Sequence, residues 1–193
     1  MADSWAALTE EELMQMSLHN PELRFERKAD GTLVILPPTG GISGNREAKA
    51  VAYLLNWVES HNLGEVFGSG TGFILKNDAQ PDFDEVTLLT PAAAFVAKER
   101  LPEGWDKGDD TLLNLAPDFV IEICSKAEDL EAIKAKVQEA VSNGVQLGWV
   151  IDRQNQQAFV CRADGLITQY PATAILSGED VVPGFKLGLK YLL

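Results

Sequence analysis

A glutamate stands in the middle of an apolar stretch of this chain. In APDFVIEICSK, residues 116–126, Phe119, Val120, Ile121, Ile123 and Cys124 form a short apolar run bounded by Pro117 and Ser125, and Glu122 interrupts it. Such a run reads as an interior strand. Alternation along it puts Asp118, Val120, Glu122 and Cys124 on one face and Phe119, Ile121 and Ile123 on the other. A buried carboxylate without a partner is costly or stays protonated, so Glu122 needs a cation, a hydrogen-bond donor or an opening to water. Two chemistries satisfy that need. One is an ion pair with a Lys or Arg near a sheet edge. The other is ligation of a divalent cation, because Mg²⁺ is usually held by one or two carboxylates with water and substrate phosphate completing the shell.

A second carboxylate for one ion has to come from elsewhere in the fold. Asp118 is four residues away, roughly 13 Å along a strand, too far to share an ion with Glu122. Pro81-Asp82 with Asp84 and Glu85 supplies acids, but KNDAQPDFDE reads as a solvated turn. His19 and His61 fall at predicted helix ends with no Ser or Cys constellation around them, which argues against a hydrolase triad. SGTGFILK resembles a phosphate loop only in its glycines. It lacks the Gly-Lys-Ser/Thr ending, and its glycines suit a bulged strand.

The elements that position these residues follow from pattern. Thr9 and Glu12 have capping-box spacing and open a short helix through about Leu18 that Asn20-Pro21 stops. LRFER and TLVIL flank Ala29-Asp30-Gly31 as a hairpin. The loop PPTGGISGN precedes a long amphipathic helix, NREAKAVAYLLNWVESHN. EVFGSGTGFIL and EVTLLTPAAAFV read as two strands, and Lys98 to Asp110 as a polar connection. Ser125 and Glu128 again have capping-box spacing, so a helix is expected from about Ala127 to Ser142, with Leu130, Ile133, Val137 and Val141 on one face. LGWVID is an apolar strand, and QAFVCRADGLITQY a hairpin around Asp164-Gly165. The fold class is mixed α/β, a central mixed sheet flanked by helices with added hairpins. A single domain over 1–193 is expected, with 1–20 as a helical extension.

The chain has 193 residues, and its 16 Lys and Arg against 29 Asp and Glu give a formal net charge of −13. Long-range electrostatics would therefore repel a polyanion unless a local basic groove or a bound cation reverses the field. Two cysteines, Cys124 and Cys161, lie inside apolar strands and read as buried thiols of a reducing compartment. No apolar stretch has the length of a membrane helix and the N-terminus is acidic, so a cytoplasmic location without membrane contact is expected.

Several segments, taken in order, resemble a known family: Thr39-Gly40-Gly41 to Asn45-Arg46-Glu47, GEVFGSGTGF, PAAAFVAKERLP, APDFVIEICS, KVQEAVSNGVQLGWVID and LSGEDVVPGF. They are similar to the restriction-endonuclease family called domain of unknown function 820, in the PD-(D/E)XK nuclease superfamily, from about residue 20 to the C-terminus. The resemblance implies a restriction-endonuclease-like αβββαβ core. In it a strand Asp and a following strand Glu hold Mg²⁺ or Mn²⁺ and a Lys from the next helix completes the set. Glu122 matches the Glu, the Ile123 carbonyl faces the same ion by superfamily analogy, and Lys136 matches the lysine. At 100° per residue Lys136 borders the face of Ile133 and Val137, so its stem can pack while its ammonium reaches the sheet; the alternative is a surface lysine. Glu47 is an acid that related nucleases place near the metal, with a helix-dipole role as the alternative.

The resemblance also carries a departure. In PAAAFVAKERL the family aspartate position is Ala92, and a methyl group neither ligates a cation nor takes a proton. Lys126 and Glu128 stand where the family has Pro and Asp, and Ala140 replaces an aromatic. The implied function is a Mg²⁺-dependent DNA endonuclease whose site is degenerate and whose activity is weakened or lost, unless Asp82 or another acid stands in. The alternative is a non-catalytic module on the same fold that pairs with a partner or a second copy, with Glu122 an ion-paired strand acid.

Overall fold

Thr9 and Glu12 close the reciprocal cap that their spacing predicts. The Glu12 N–H donates to Thr9 Oγ1 at 3.2 Å and the Thr9 N–H to Glu12 Oε2 at 2.8 Å, opening α1 (Glu10–His19). The computed structural model describes residues 8–20, 23–28, 30–36, 38–75, 87–107, 111–126 and 128–193. After α1 come β1 (Arg24–Arg27), β2 (Leu33–Leu36), α2 (Gly41–His61), β3 (Gly64–Gly68), β4 (Phe73–Leu75), β5 (Thr87–Leu89) and β6 (Ala93–Ala97). Then follow β7 (Phe119–Cys124), α3 (Leu130–Ser142), β8 (Leu147–Asp152), β9 (Gln157–Arg162), β10 (Ile167–Pro171), β11 (Ile175–Ser177) and β12 (Lys186–Gly188). Among the described residues no helix is long and apolar enough to cross a membrane.

Of the three sheets among the described residues, β11 pairs only with β12, and the other two position the site. The larger has the order β10-β9-β8-β7-β6-β3, antiparallel except for β7 and β8, which run parallel with Glu122 beside Val150. With the helices that pack on it, α2, β3, β6, β7, α3 and β8 make the expected αβββαβ core in chain order. The smaller sheet has the order β2-β1-β5-β4. Its hairpin turns at Gly31, whose φ of 81° is the left-handed conformation that glycine tolerates without strain.

Strand alternation sorts the core into two layers. Phe119, Ile121 and Ile123 pack with Trp149 and with Ala50, Leu54 and Val58 of α2. Val120 and Val150 face the other way, against Val137 and Ala140 of α3. That second contact is close because residue 148 lacks a side chain. A Cβ at Gly148 would lie 2.3 Å from Val137 Cγ1, so only glycine lets α3 settle at this distance from the sheet.

Four expectations change. EVFGSGTGFIL and EVTLLTPAAAFV are each two strands, one in each sheet, because Gly68-Ser69-Gly70-Thr71-Gly72 and Thr90-Pro91 carry the chain from one sheet to the other. The glycines of SGTGF thus serve a crossing and not a bulge. Helix α2 begins at Gly41, inside the glycine-rich stretch read as loop. Helix α3 is capped by Asp129, whose side chain accepts from the Glu131 N–H at 3.0 Å; Glu128 does reach the Ser125 N–H at 2.7 Å, but that contact closes a turn before the helix. Asp82, Asp84 and Glu85 lie outside the described residues.

Candidate functional site

The buried stem of β7 carries Glu122 toward α3, on the same face as Val120. Lys136 comes down from α3 one residue before Val137, the side chain that fills the space over Gly148. Its Nζ stands 2.8 Å from Glu122 Oε1. It stands 2.5 Å from a second carboxylate, Glu26 Oε1, which reaches in from β1 of the smaller sheet. Glu26 is held in place by Thr90, whose hydroxyl donates to the same oxygen at 2.8 Å and whose N–H donates at 3.2 Å. Thr90 lies between β5 and β6, so the site sits where the chain passes from one sheet to the other.

Burial sets the electrostatics. Glu122 is 7 % exposed and Glu26 8 %, while the Lys136 side chain keeps 21 % of its surface. Removal from water is the largest influence on Glu122 and raises its pKa. The Lys136 charge opposes that rise and the neighbouring Glu26 adds to it, leaving Glu122 at about 7 in place of its ordinary 4.5. For Lys136 burial acts downward, yet the two carboxylates outweigh it and hold the ammonium above the usual lysine range. Glu122 Oε1 meets Lys136 Nζ at ion-pair distance without the alignment of a hydrogen bond, so that buried oxygen has no aligned donor among the described residues.

The remaining candidates are distributed as follows. Ile123 lies in the outer half of β7. Leu147 donates its N–H to the Asp118 carbonyl at 3.1 Å, so the even residues of β7 address β8 and the odd ones address β6. Pairing with β6 ends at Ala93↔Ile121. Continued at the same register, Pro91 would stand across from Ile123, and a proline has no N–H to offer its carbonyl. Ala92 would stand across from Glu122 at that register, but it lies in a bend before β6 and packs with the apolar layer of Phe95, Ile121 and Trp149.

Glu47 falls in the second turn of α2, whose buried residues pack on the Trp149 layer, the opposite face of the sheet from Glu122. No acid occupies the first turn, so the helix-dipole role read for Glu47 does not hold once the helix starts at Gly41. Asp118 is committed elsewhere, to Arg100 at 2.6 Å and to the Ala97 N–H at 2.8 Å. Cys124 and Cys161 are free and buried.

Sequence reasoning missed Glu26 and Thr90. The four residues RFER carry three charges on a hairpin strand, which reads as a solvated edge; contact with α3 and the β5–β6 passage is what buries Glu26. Among the described residues no group of three or more His, Cys, Asp or Glu is arranged to hold a metal. Two carboxylates that share one cation are nevertheless a donor set of the size Mg²⁺ uses, with water and phosphate completing the shell. A separate cavity of about 630 Å³ lies between α1 and the segments around Gly72 and Trp105, and none of these acids lines it.

Comparison with known proteins bears on this arrangement. The model of the Uma2 family, described as "Putative restriction endonuclease", matches residues 10–190. The crystal structure of a "putative nuclease belonging to DUF820" from Anabaena variabilis ATCC 29413 superposes with a TM-score of 0.77 at 19% identity, covering 97% of this chain and 100% of that one. At that identity the likeness speaks for the fold. No curated protein matches.

Proposed function

The chain belongs to the Uma2 family of restriction-endonuclease-like proteins, and on that premise we propose that it is a divalent-cation-dependent DNA endonuclease with weakened phosphodiester hydrolysis. The observation that carries the reading is the meeting of Glu26, Glu122 and Lys136 on one point at the junction of the two sheets. Glu122 and Glu26 would hold Mg²⁺ or Mn²⁺, with the Ile123 carbonyl as a further oxygen ligand. When bound, the ion supplies Lewis-acid neutralisation of charge at the phosphoryl group.

The chain's own groups do the rest. Lys136 Nζ, on a stem fixed by α3, gives a positive charge beside the oxygen atoms that gain charge at phosphorus. Glu122, whose carboxyl pKa is raised to about 7 by burial without a metal, would give up its proton on holding the ion, so metal binding should strengthen as pH rises through 7. Thr90 orients Glu26 and so fixes the second carboxylate. Ala92 supplies no oxygen at the family's aspartate position, which supports reduced activity. Glu47 plays no direct part in this reading.

One observation favours the alternative of a non-catalytic module: the Lys136 ammonium already pairs with both acids without a metal. A plasmid-nicking assay separates the two. Mn²⁺- or Mg²⁺-dependent nicking that disappears in both Glu122→Gln and Lys136→Met supports the endonuclease. No nicking at any cation concentration, from a protein that shows a folded circular-dichroism spectrum, leaves the interaction module.

A further inference from the structure

A second cation is buried at the wrong end of a helix. Arg153 follows β8 directly, is 8 % exposed, and donates from Nη1 to Ser43 Oγ at 3.0 Å in the first turn of α2. Its Nε has no hydrogen-bond partner among the described residues, and no carboxylate among them lies within ion-pair distance. The neighbouring Asp152 is spoken for: it accepts from the Gln154 and Asn155 N–H groups, from Asn155 Nδ2 at 2.8 Å and from Gln157 Nε2 at 2.7 Å.

The helix end it faces is positive as well. α2 runs for 21 residues, its N-cap Gly40 gives no side-chain cap, and no acid occupies its first turn. The first N–H groups of such a helix point outward unpaired and favour an anion. Gly40 and Gly41 leave open space beside them, with nothing within 4 Å of a Cβ built on either. Arg24 Nη2 donates to Thr39 Oγ1 at 3.0 Å, bringing another cation to the same loop. A buried guanidinium against a helix N-terminus is electrostatically unfavourable unless an anion joins them.

We propose that the N-terminus of α2, with Ser43 and Arg153, is a phosphoryl-binding site. A nucleic-acid backbone phosphate and a free phosphate compound share this chemistry. The former rests on the endonuclease reading: Arg153 lies three residues beyond Val150, the neighbour of Glu122, on the order of 10 Å from it along the sheet. Such a site would give this acidic protein a local positive patch at the end of the sheet, on the α2 face opposite the carboxylate pair.

Calorimetric titration of the full chain with inorganic phosphate tests the site, alongside Arg153→Gln, Gly40→Asp and Glu122→Gln. Gly40→Asp places the chain's own carboxylate at the N-cap in open space, so it should raise Tm and compete with phosphate even if Arg153→Gln folds poorly. The expected result is saturable phosphate binding weakened at least about tenfold in Arg153→Gln and Gly40→Asp and unchanged in Glu122→Gln, which separates this site from the carboxylate pair. No saturable binding, or equal affinity in Gly40→Asp, overturns the site. Titration of a short labelled duplex followed by anisotropy identifies the source. Weaker duplex binding in Gly40→Asp supports a backbone phosphate, and undiminished duplex binding overturns that assignment in favour of a free phosphate compound.

Discussion

Glu26 and Glu122 belong to different sheets, yet their Oε1 atoms meet the same ammonium, Lys136 Nζ, at 2.5 and 2.8 Å. Three ionisable groups with one net negative charge, nearly out of water, make a costly arrangement for stability alone. An apolar trio of similar volume would be as stable or more so. On the proposed endonuclease reading, its value lies in what two acids can do when a cation of higher charge arrives.

The first consequence is a pH dependence. The folded-state pKa of Glu122 is raised from 4.5 to about 7, so its proton binding stabilises the fold fully below pH 4.5, and that contribution is lost as pH rises through about 7. The loss amounts to about 3 kcal/mol at most. Urea denaturation should therefore show the wild type losing stability between pH 5 and pH 8 relative to Glu122→Gln, which should be nearly level over that range. Parallel pH profiles of the two proteins would contradict the assignment.

Removing the lysine should separate stability from metal binding. Lys136→Met leaves two buried carboxylates facing each other, and a loss of about 2–3 kcal/mol is expected at pH 8, with a smaller loss at pH 5 where Glu122 is protonated. Because ammonium and divalent ion compete for the same oxygens, Mn²⁺ affinity in this variant should equal or exceed that of the wild type while nicking is lost. Weaker Mn²⁺ binding would mean that the lysine supports the ion instead of displacing it.

These residues differ in how legible they were. Glu122 was visible because a carboxylate inside an apolar strand demands an explanation; Lys136 was picked out by the family resemblance, and its place beside a helical apolar face agreed with that. Glu26 was not visible, since its burial comes from a sheet-to-helix contact that local pattern does not encode. The mixed α/β order of helices and strands and both hairpins followed from periodicity and turn residues, and the αβββαβ core from the family resemblance. The division of two apparent strands into four did not, because Phe73–Leu75 and Thr87–Leu89 look like continuations of their neighbours until hydrogen bonding assigns them to another sheet. The start of α2 was hidden for a related reason: tertiary packing tolerates glycines that propensity argues against.

An acid placed at residue 92, the position proposed to be degenerate, should help the ion and destabilise the protein without it. Ala92→Asp puts a carboxylate into a buried bend, so a loss of about 2–3 kcal/mol is expected without metal. Mg²⁺ should reverse much of it and bind on the order of tenfold more tightly than to the wild type. Unchanged affinity would show that a side chain at residue 92 stays in the Trp149 layer, where Ala92 packs, and does not reach the ion.

The closeness of α3 to the sheet makes a prediction that touches no ionisable group. Gly148→Ala drives a methyl into Val137 and should cost about 1–3 kcal/mol by overpacking. By lifting the helix it should also move Lys136 and reduce nicking more than the stability loss explains. A second change that shortens the neighbour, Val137→Ala, should restore part of both; failure to restore either would mean that the site does not depend on this contact.

The central claim is that Glu26 and Glu122 together form one cation berth. Calorimetric titration of Mn²⁺ at pH 8 into the wild type, Glu26→Gln and Glu122→Gln tests it most directly. A single site in the wild type, weakened at least about tenfold by either substitution, is the predicted result. Equal affinity in all three proteins, or no binding to the folded wild type, would contradict it.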